Sequence, residues 1–204
     1  LTTPPGQEVT LHSVNPGIEV FDGRVRYQLL PGQQVRVESG MWPFAGGKLL
    51  LQPTLLDFSA DHPRRLMFDV SNVDAALFLQ RYEFENISAT GTFDGILPTV
   101  FDADGGRVEG GMLTSRAGGS LAYVGELGNH DLGMMGNMAF GALKALKYDS
   151  LVIRLNGRID GDMVTDVGFS GLAQGEGVSN GLLTRWLRGL PFTFSIRINA
   201  PFRQ

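Results

Sequence analysis

The sequence predicts a mostly β fold: an elongated, repeat-built antiparallel sheet curled into a groove, with a few short helices. The chain has 204 residues, of which 43% are hydrophobic, and its 28 Gly and 10 Pro are spread through apolar stretches without a short period. This composition is typical of many strands joined by tight turns, and the length is sufficient for an apolar core. Alternating stretches and an internal repeat support the same fold.

Two stretches carry apolar residues at every second position, which is the pattern of a strand with one apolar face. In the first, Leu151, Ile153 and Leu155 share a face. The second has two faces, of which the apolar one is formed by Phe192, Phe194, Ile196 and Ile198, and the polar one includes Thr193, Ser195 and Arg197. The seven apolar residues are the candidates for lining a groove.

Turn and helix signals divide the rest of the chain. Asp-Gly pairs at 22, 94, 104 and 160 and Asn-Gly at 156 tolerate positive φ, and several are expected to close two-residue hairpins. Helical spacing of apolar residues predicts short helices over 74–82, 132–146 and 182–187.

Three blocks recur in the same order at offsets of 72, 71 and 72 residues. They begin at Phe21 and Phe93, at Arg36 and Arg107, and at Gly46 and Gly118. A shorter third copy starts at Gly157 and carries Arg158. We therefore predict one elongated segment with repeats over about 18–82, 84–147 and 148–204, the last of them partial, and equivalent sites for Arg36, Arg107 and Arg158.

Charge and composition exclude several partners. A net charge of −4 and the absence of a Lys/Arg-rich run argue against nucleic acid as a ligand. The chain has no Cys, so it has no disulfide or thiolate site. No apolar run reaches the length of a membrane-spanning helix, and the chain starts at Leu1, so we expect a piece of a longer protein whose membrane anchor lies elsewhere.

Signals for catalysis or a cofactor are weak. His12, His62 and His130 are far apart, and the residues after Asp102 lack the Glu that would complete a calcium loop. The glycine-rich stretch 175–181 departs from the dinucleotide-binding spacing and is better explained as the start of a helix. We expect no enzymatic activity, no cofactor and no metal.

The apolar strand faces leave two structures open. They could form a closed sandwich core, or they could line an open groove for an apolar ligand. Periodicity alone does not choose between them.

Several stretches resemble the YdbH family. They lie at Trp42-Pro43-Phe44-Ala45-Gly46-Gly47, Ala139-Phe140-Gly141-Ala142-Leu143-Lys144 and Leu190-Pro191-Phe192, and the most specific contains Phe93-Asp94-Gly95-Ile96-Leu97-Pro98. The likeness extends from about Phe21 to Phe202 and matches the C-terminal part of that family's long proteins.

The resemblance implies an AsmA-like protein of the Gram-negative envelope, anchored in the inner membrane, with a periplasmic β-groove that moves phospholipids to the outer membrane. It also implies a small outer-membrane lipoprotein as partner, which we expect to add a strand at the C-terminal edge near Thr193, Ser195 and Arg197. Two alternative functions remain: a scaffolding β module with a closed core, and a dicarboxylate-binding transport component.

Overall fold

The computed structural model describes residues 1–15, 19–59, 62–81, 86–123, 146–171, 173–174 and 192–198. This part of the chain contains fifteen strands and one helix. In chain order they are β1 (Gln7–Val14), β2 (Val20–Leu30), β3 (Gln34–Phe44), β4 (Gly47–Leu51), β5 (Thr54–Asp57), β6 (Arg64–Asp74), α1 (Ala75–Arg81), β7 (Ile87–Ala89), β8 (Thr92–Asp102), β9 (Gly105–Ser115), β10 (Gly119–Tyr123), β11 (Leu146–Tyr148), β12 (Ser150–Arg158), β13 (Met163–Ser170), β14 (Ala173–Gln174) and β15 (Phe192–Ile198).

Most strands form one large antiparallel sheet, which we call the main sheet. Its order is β1-β2-β3-β4-β6-β8-β9-β12-β13-β15, and β5 pairs with the half of β3 that β4 leaves free. Among the described strands β1 and β15 lie at opposite ends, so the sheet is open. The prediction of a mostly β, groove-forming antiparallel sheet is confirmed.

The β4–β5 break has a local cause in the sequence. Gln52 N still donates to Met67 O at 3.0 Å, but Pro53 follows it and has no backbone N–H. Beyond Pro53, β5 is joined to β6 by side chains, for example through Arg64 Nε, which donates to Asp57 O at 3.3 Å. The two short strands β4 and β5 therefore lie one after the other along β3, where a single longer strand would otherwise lie.

The Asp-Gly and Asn-Gly pairs divide into turns and strands. Residues Asp104 and Asp160 lie in the turns after β8 and β12, as the hairpin signal predicts. The Asp-Gly pairs at 22 and 94 and the Asn-Gly pair at 156 instead lie inside β2, β8 and β12, so the hairpin interpretation is wrong for them. Asp22 has a positive φ of 53° inside β2. Asp adopts this conformation more readily than most residues, so the pair makes the strand irregular here and forms no turn.

The helix predicted near Asp74 is confirmed as α1. Asp74 Oδ1 accepts a hydrogen bond from Leu77 N at 2.9 Å, as an N-cap does. The prediction over 132–146 is wrong at its last residue, because Leu146 lies in β11. The rest of that stretch, and the helix predicted over 182–187, lie outside the described residues.

The two hairpins β2–β3 and β8–β9 have matching registers. Arg36 pairs with Gln28, and Arg107 pairs with Val100, which are equivalent positions at the repeat offset. Beyond the hairpins the copies differ, because β4 pairs with β3 whereas β10 pairs with β7 and β11. Arg158 lies directly opposite Arg107. The matching hairpins support a repeat, and its division into three copies stays a proposal.

A second, smaller sheet lies against one margin of the main sheet. Its order is β14-β11-β10-β7, and we call it the small sheet. Leu146 and Tyr148 of the small sheet form a core with Phe93, Leu151 and Phe169 of the main sheet. The small sheet therefore covers part of the apolar face of the main sheet.

Candidate functional site

Two rows of side chains run across the strands on one face of the main sheet. In an antiparallel sheet, residues directly opposite each other point to the same face, so the pairing register defines each row. We call these the floor rows. The first contains Val25, Gly40, Leu51, Phe68, Leu97, Gly111, Leu155 and Thr165, and the second contains Trp42, Leu49, Val70, Gly95, Leu113, Ile153 and Val167.

The floor rows are free of charged side chains, and their only side-chain polar groups belong to Trp42 and Thr165. Trp42, Leu51, Val70 and Val167 are buried, whereas other members, among them Phe68, Leu97 and Leu155, are partly buried. The rows cross the strands, so their axis follows the long dimension of the sheet. This arrangement is an apolar groove floor.

All seven predicted groove residues lie at register positions of this face. Leu151, Ile153 and Leu155 of β12 pair with Phe169, Val167 and Thr165 of β13. These three in turn pair with Phe192, Phe194 and Ile196 of β15, and Ile198 pairs with Met163. The pairing register therefore places both sequence stretches on one face of three neighbouring strands, and their role as groove residues stays a prediction.

The position of Leu151 differs from that of Ile153 and Leu155. Leu151 is 5% exposed and packs in the core beneath the small sheet, so it lies between two layers. Ile153 and Leu155 are partly buried members of the floor rows. A closed core is therefore present at the margin, and Ile153 and Leu155 lie beside it with part of their surface exposed.

The opposite face, which we call the outer face, carries the charged side chains. Arg65, Arg107 and Arg158 form a row across β6, β8, β9 and β12, with Val100 between the first two. Glu109 pairs with Arg65 at 3.1 Å and with Arg107 at 2.8 Å. These bonds, the one from Arg107 first, hold the pKa of the Glu109 carboxyl below its usual range.

The remaining partners in this row are also carboxylates of the chain. Arg107 pairs with Asp102, and Arg158 pairs with Asp160 at 3.1 Å. The hydrogen bond from Arg107, followed by one from Asp104 N, lowers the pKa of Asp102. Each of the three arginines has an acidic partner within the chain.

The floor contains one unsatisfied donor. Trp42 is 6% exposed, and its Nε1 has no hydrogen-bond partner within the part of the chain that the structure describes. A buried donor without an acceptor costs about 1–3 kcal/mol. By contrast, the buried Thr99 on the same face donates from Oγ1 to Leu66 O at 3.1 Å.

Sequence reasoning missed the floor residues of β4, β6 and β8. The signal was present, because Leu49 and Leu51 alternate, as do Leu66, Phe68 and Val70. In β8 the alternation is obscured by Gly95 and Pro98, and Leu97 is recognisable only from its pairing with Phe68.

A family model described as YdbH-like, intermembrane phospholipid transport protein YdbH, matches residues 1–204, the whole chain. The chain belongs to the YdbH-like family. Comparisons with curated proteins and with solved structures gave no match. Membership makes this a chain of an intermembrane phospholipid transport family, which suggests a periplasmic location.

The described residues of this YdbH-like chain include no helix long and apolar enough to cross a membrane. Its apolar surface lies instead along the groove face of a sheet. For a family that transports phospholipids, this face is the candidate lipid site.

Proposed function

We propose that this chain is a segment of a bridge that carries phospholipids between the inner and outer membranes, with the acyl chains lying along the floor rows. The observation that carries the proposal is the continuity of the two rows. The longer row crosses eight strands, which at a spacing of about 4.8 Å gives a floor about 34 Å long. The charged side chains of the arginine row lie on the outer face, and the floor itself is apolar.

The free energy of transfer explains why a groove is useful. Each methylene exposed to water costs about 0.8 kcal/mol, so an acyl chain of about sixteen carbons opposes crossing by on the order of 12 kcal/mol. A continuous apolar floor removes most of this barrier without any catalytic group. Such a floor requires interchangeable aliphatic and aromatic side chains, and Leu49, Phe68, Leu97 and Ile153 are of that kind.

Site-specific photo-crosslinking in cells tests the proposal. Probes at Ile153 and Leu155, which belong to the floor rows, are expected to give phospholipid adducts. Probes at Arg154 and Met112 are the matched controls, because Arg154 lies between the two floor residues in β12 and pairs with Met112 on the outer face. Met112 is apolar and 42% exposed, so it also controls for non-specific capture of lipid.

A scaffolding module with a closed core is the second candidate, favoured by the small sheet that covers Leu151. If Ile153 and Leu155 probes stayed free of lipid, or gave no more adducts than Met112, scaffolding would replace transport as the function.

The partner proposal rests on the C-terminal edge. β15 pairs with β13 on one side, and none of the described strands pairs with its other side. We propose that a small outer-membrane lipoprotein adds a strand to this edge, with backbone hydrogen bonds giving the affinity. The sheet face to which Phe192, Phe194 and Ile196 belong by register would then continue onto the partner's strand. The alternative is that another segment of the same chain covers the edge.

A further inference from the structure

Trp42 combines burial, a polar hydrogen and a position on the groove floor. It belongs to the second floor row, opposite Leu49, and its ring makes an edge-on contact with Phe68 at 6.2 Å between centroids. Its Nε1 is a buried side-chain polar atom that finds no acceptor in the described residues. A phenylalanine would fill a similar space without an unpaired donor.

The strands beneath Trp42 are adapted to its ring. A Cβ on Gly23 would overlap the indole nitrogen, and a Cβ on Gly40 would lie 2.8 Å from Cζ3. The indole therefore lies flat on two glycines of β2 and β3, at places where side chains would otherwise hold it away from the floor. The fold thus accommodates an indole on the floor, although its donor is unpaired.

We propose that the Trp42 indole N–H donates a hydrogen bond to an acyl ester carbonyl of a phospholipid held in the groove. This inference rests on the proposed function and adds a specific contact to it. A phosphate is the less suitable acceptor, because placing its charge beside Leu49 and Phe68 would require desolvation without a counter-charge. The ester carbonyl is neutral and lies where the acyl chain begins.

The geometry also sets the orientation of the lipid. With the ester at Trp42, the acyl chains extend along the floor rows, while the phosphate remains toward water. The nitrogen is covered in the structure, so the contact requires the indole to rotate away from Gly23.

Binding of two lipids to the full chain tests the proposal. The lipids are a diester phospholipid and its diether analogue, which has the same headgroup and chains but no ester carbonyl. Trp42→Phe is expected to weaken diester binding about five-fold more than diether binding, the size of one hydrogen bond. Melting curves of the variant verify that it is folded.

Two results would overturn the inference: an equal loss for both lipids, or no loss for either. If the wild-type chain bound neither lipid, the proposed function would fail and this inference with it, so the two failures are distinguishable.

A second measurement leaves Trp42 in place. The chain has two tryptophans, so Trp186→Phe makes Trp42 the only one. Diester phospholipid brominated near the ester is expected to quench its fluorescence more than the same lipid brominated near the chain end. Equal quenching by the two lipids would contradict an ester at Trp42.

Discussion

At the scale of single residues, Gly23 determines how closely the Trp42 ring can approach the floor. We predict that Gly23→Ala lowers the free energy of unfolding by about 1–3 kcal/mol, the range found for overpacked sites. The physical reason is that the added methyl group would occupy the space of the indole nitrogen, so the ring must move. Urea denaturation of the two proteins measures the difference.

Gly168→Ala is the matched control. Gly168 also lies in a strand, but a Cβ there would have Val152 O as its nearest neighbour, at 3.9 Å, which is ordinary contact. Stability close to wild type is expected for this variant. Equal destabilisation by both substitutions would mean that loss of glycine in a strand, and not the Trp42 ring, causes the effect.

At the scale of elements, Tyr148 of β11 connects the small sheet to the chain before β8. Its hydroxyl donates to Thr90 O at 2.8 Å, and its ring lies against Gly91 and Gly119, which leave room for it. We predict that Tyr148→Phe lowers the free energy of unfolding by about 0.5–1.5 kcal/mol at neutral pH, because the hydrogen bond to the Thr90 carbonyl is lost.

The same residue predicts an alkaline dependence. Burial raises the pKa of the Tyr148 hydroxyl above the ordinary tyrosine value of about 10. The unfolded chain therefore ionises first, and the stabilisation, fully present below about pH 10, is lost as the pH rises through the folded pKa. The stability difference between wild type and Tyr148→Phe should shrink over this range. A difference that stays constant with pH would contradict the assignment.

The small sheet also shows where sequence reasoning reached its limit. Its strands have two to five residues, too few for alternation to be recognisable. The repeat predicted that β10 would match β4, and its bounds do match at an offset of 72, but β10 pairs with β7 and β11 instead. The bond from Tyr148 to Thr90 spans 58 residues, and no local pattern indicates such a contact.

Longer elements were predictable because burial on one face imposes a period of two. β12 follows the predicted alternation, the second predicted stretch forms the strand β15, and α1 follows the predicted helical spacing. The glycines at 23 and 95 misled the hairpin interpretation, because inside these strands a missing Cβ allows close approach, of the Trp42 ring at Gly23 and of Met112 O at Gly95. The orphan donor of Trp42 depends on tertiary packing and has no signal in the sequence.

At the scale of the whole molecule, the two faces of the main sheet differ in polarity. Arginine and carboxylate pairs lie on the outer face, whereas the floor rows are apolar. A sheet of this kind can be extended strand by strand without changing the floor, since each added strand contributes one residue to each row. The end strands β1 and β15 are therefore where the groove can continue.

The last prediction concerns the β15 end of this sheet. Ser195 and Arg197 are two positions apart in β15 and pair with Asp166 and Val164 of β13. Proline has no backbone N–H, so Ser195→Pro and Arg197→Pro should prevent a partner strand from pairing with this edge. We expect both variants to lose capture of the outer-membrane lipoprotein in pull-down experiments while the preceding strands stay folded, as judged by circular dichroism and melting. Thr10→Pro in β1, at the opposite end of the sheet, is the control and should leave capture unchanged. If Ser195→Pro and Arg197→Pro both captured the lipoprotein as well as wild type, the partner would have to bind elsewhere, and a strand of the same chain would be the better explanation for how this edge is covered.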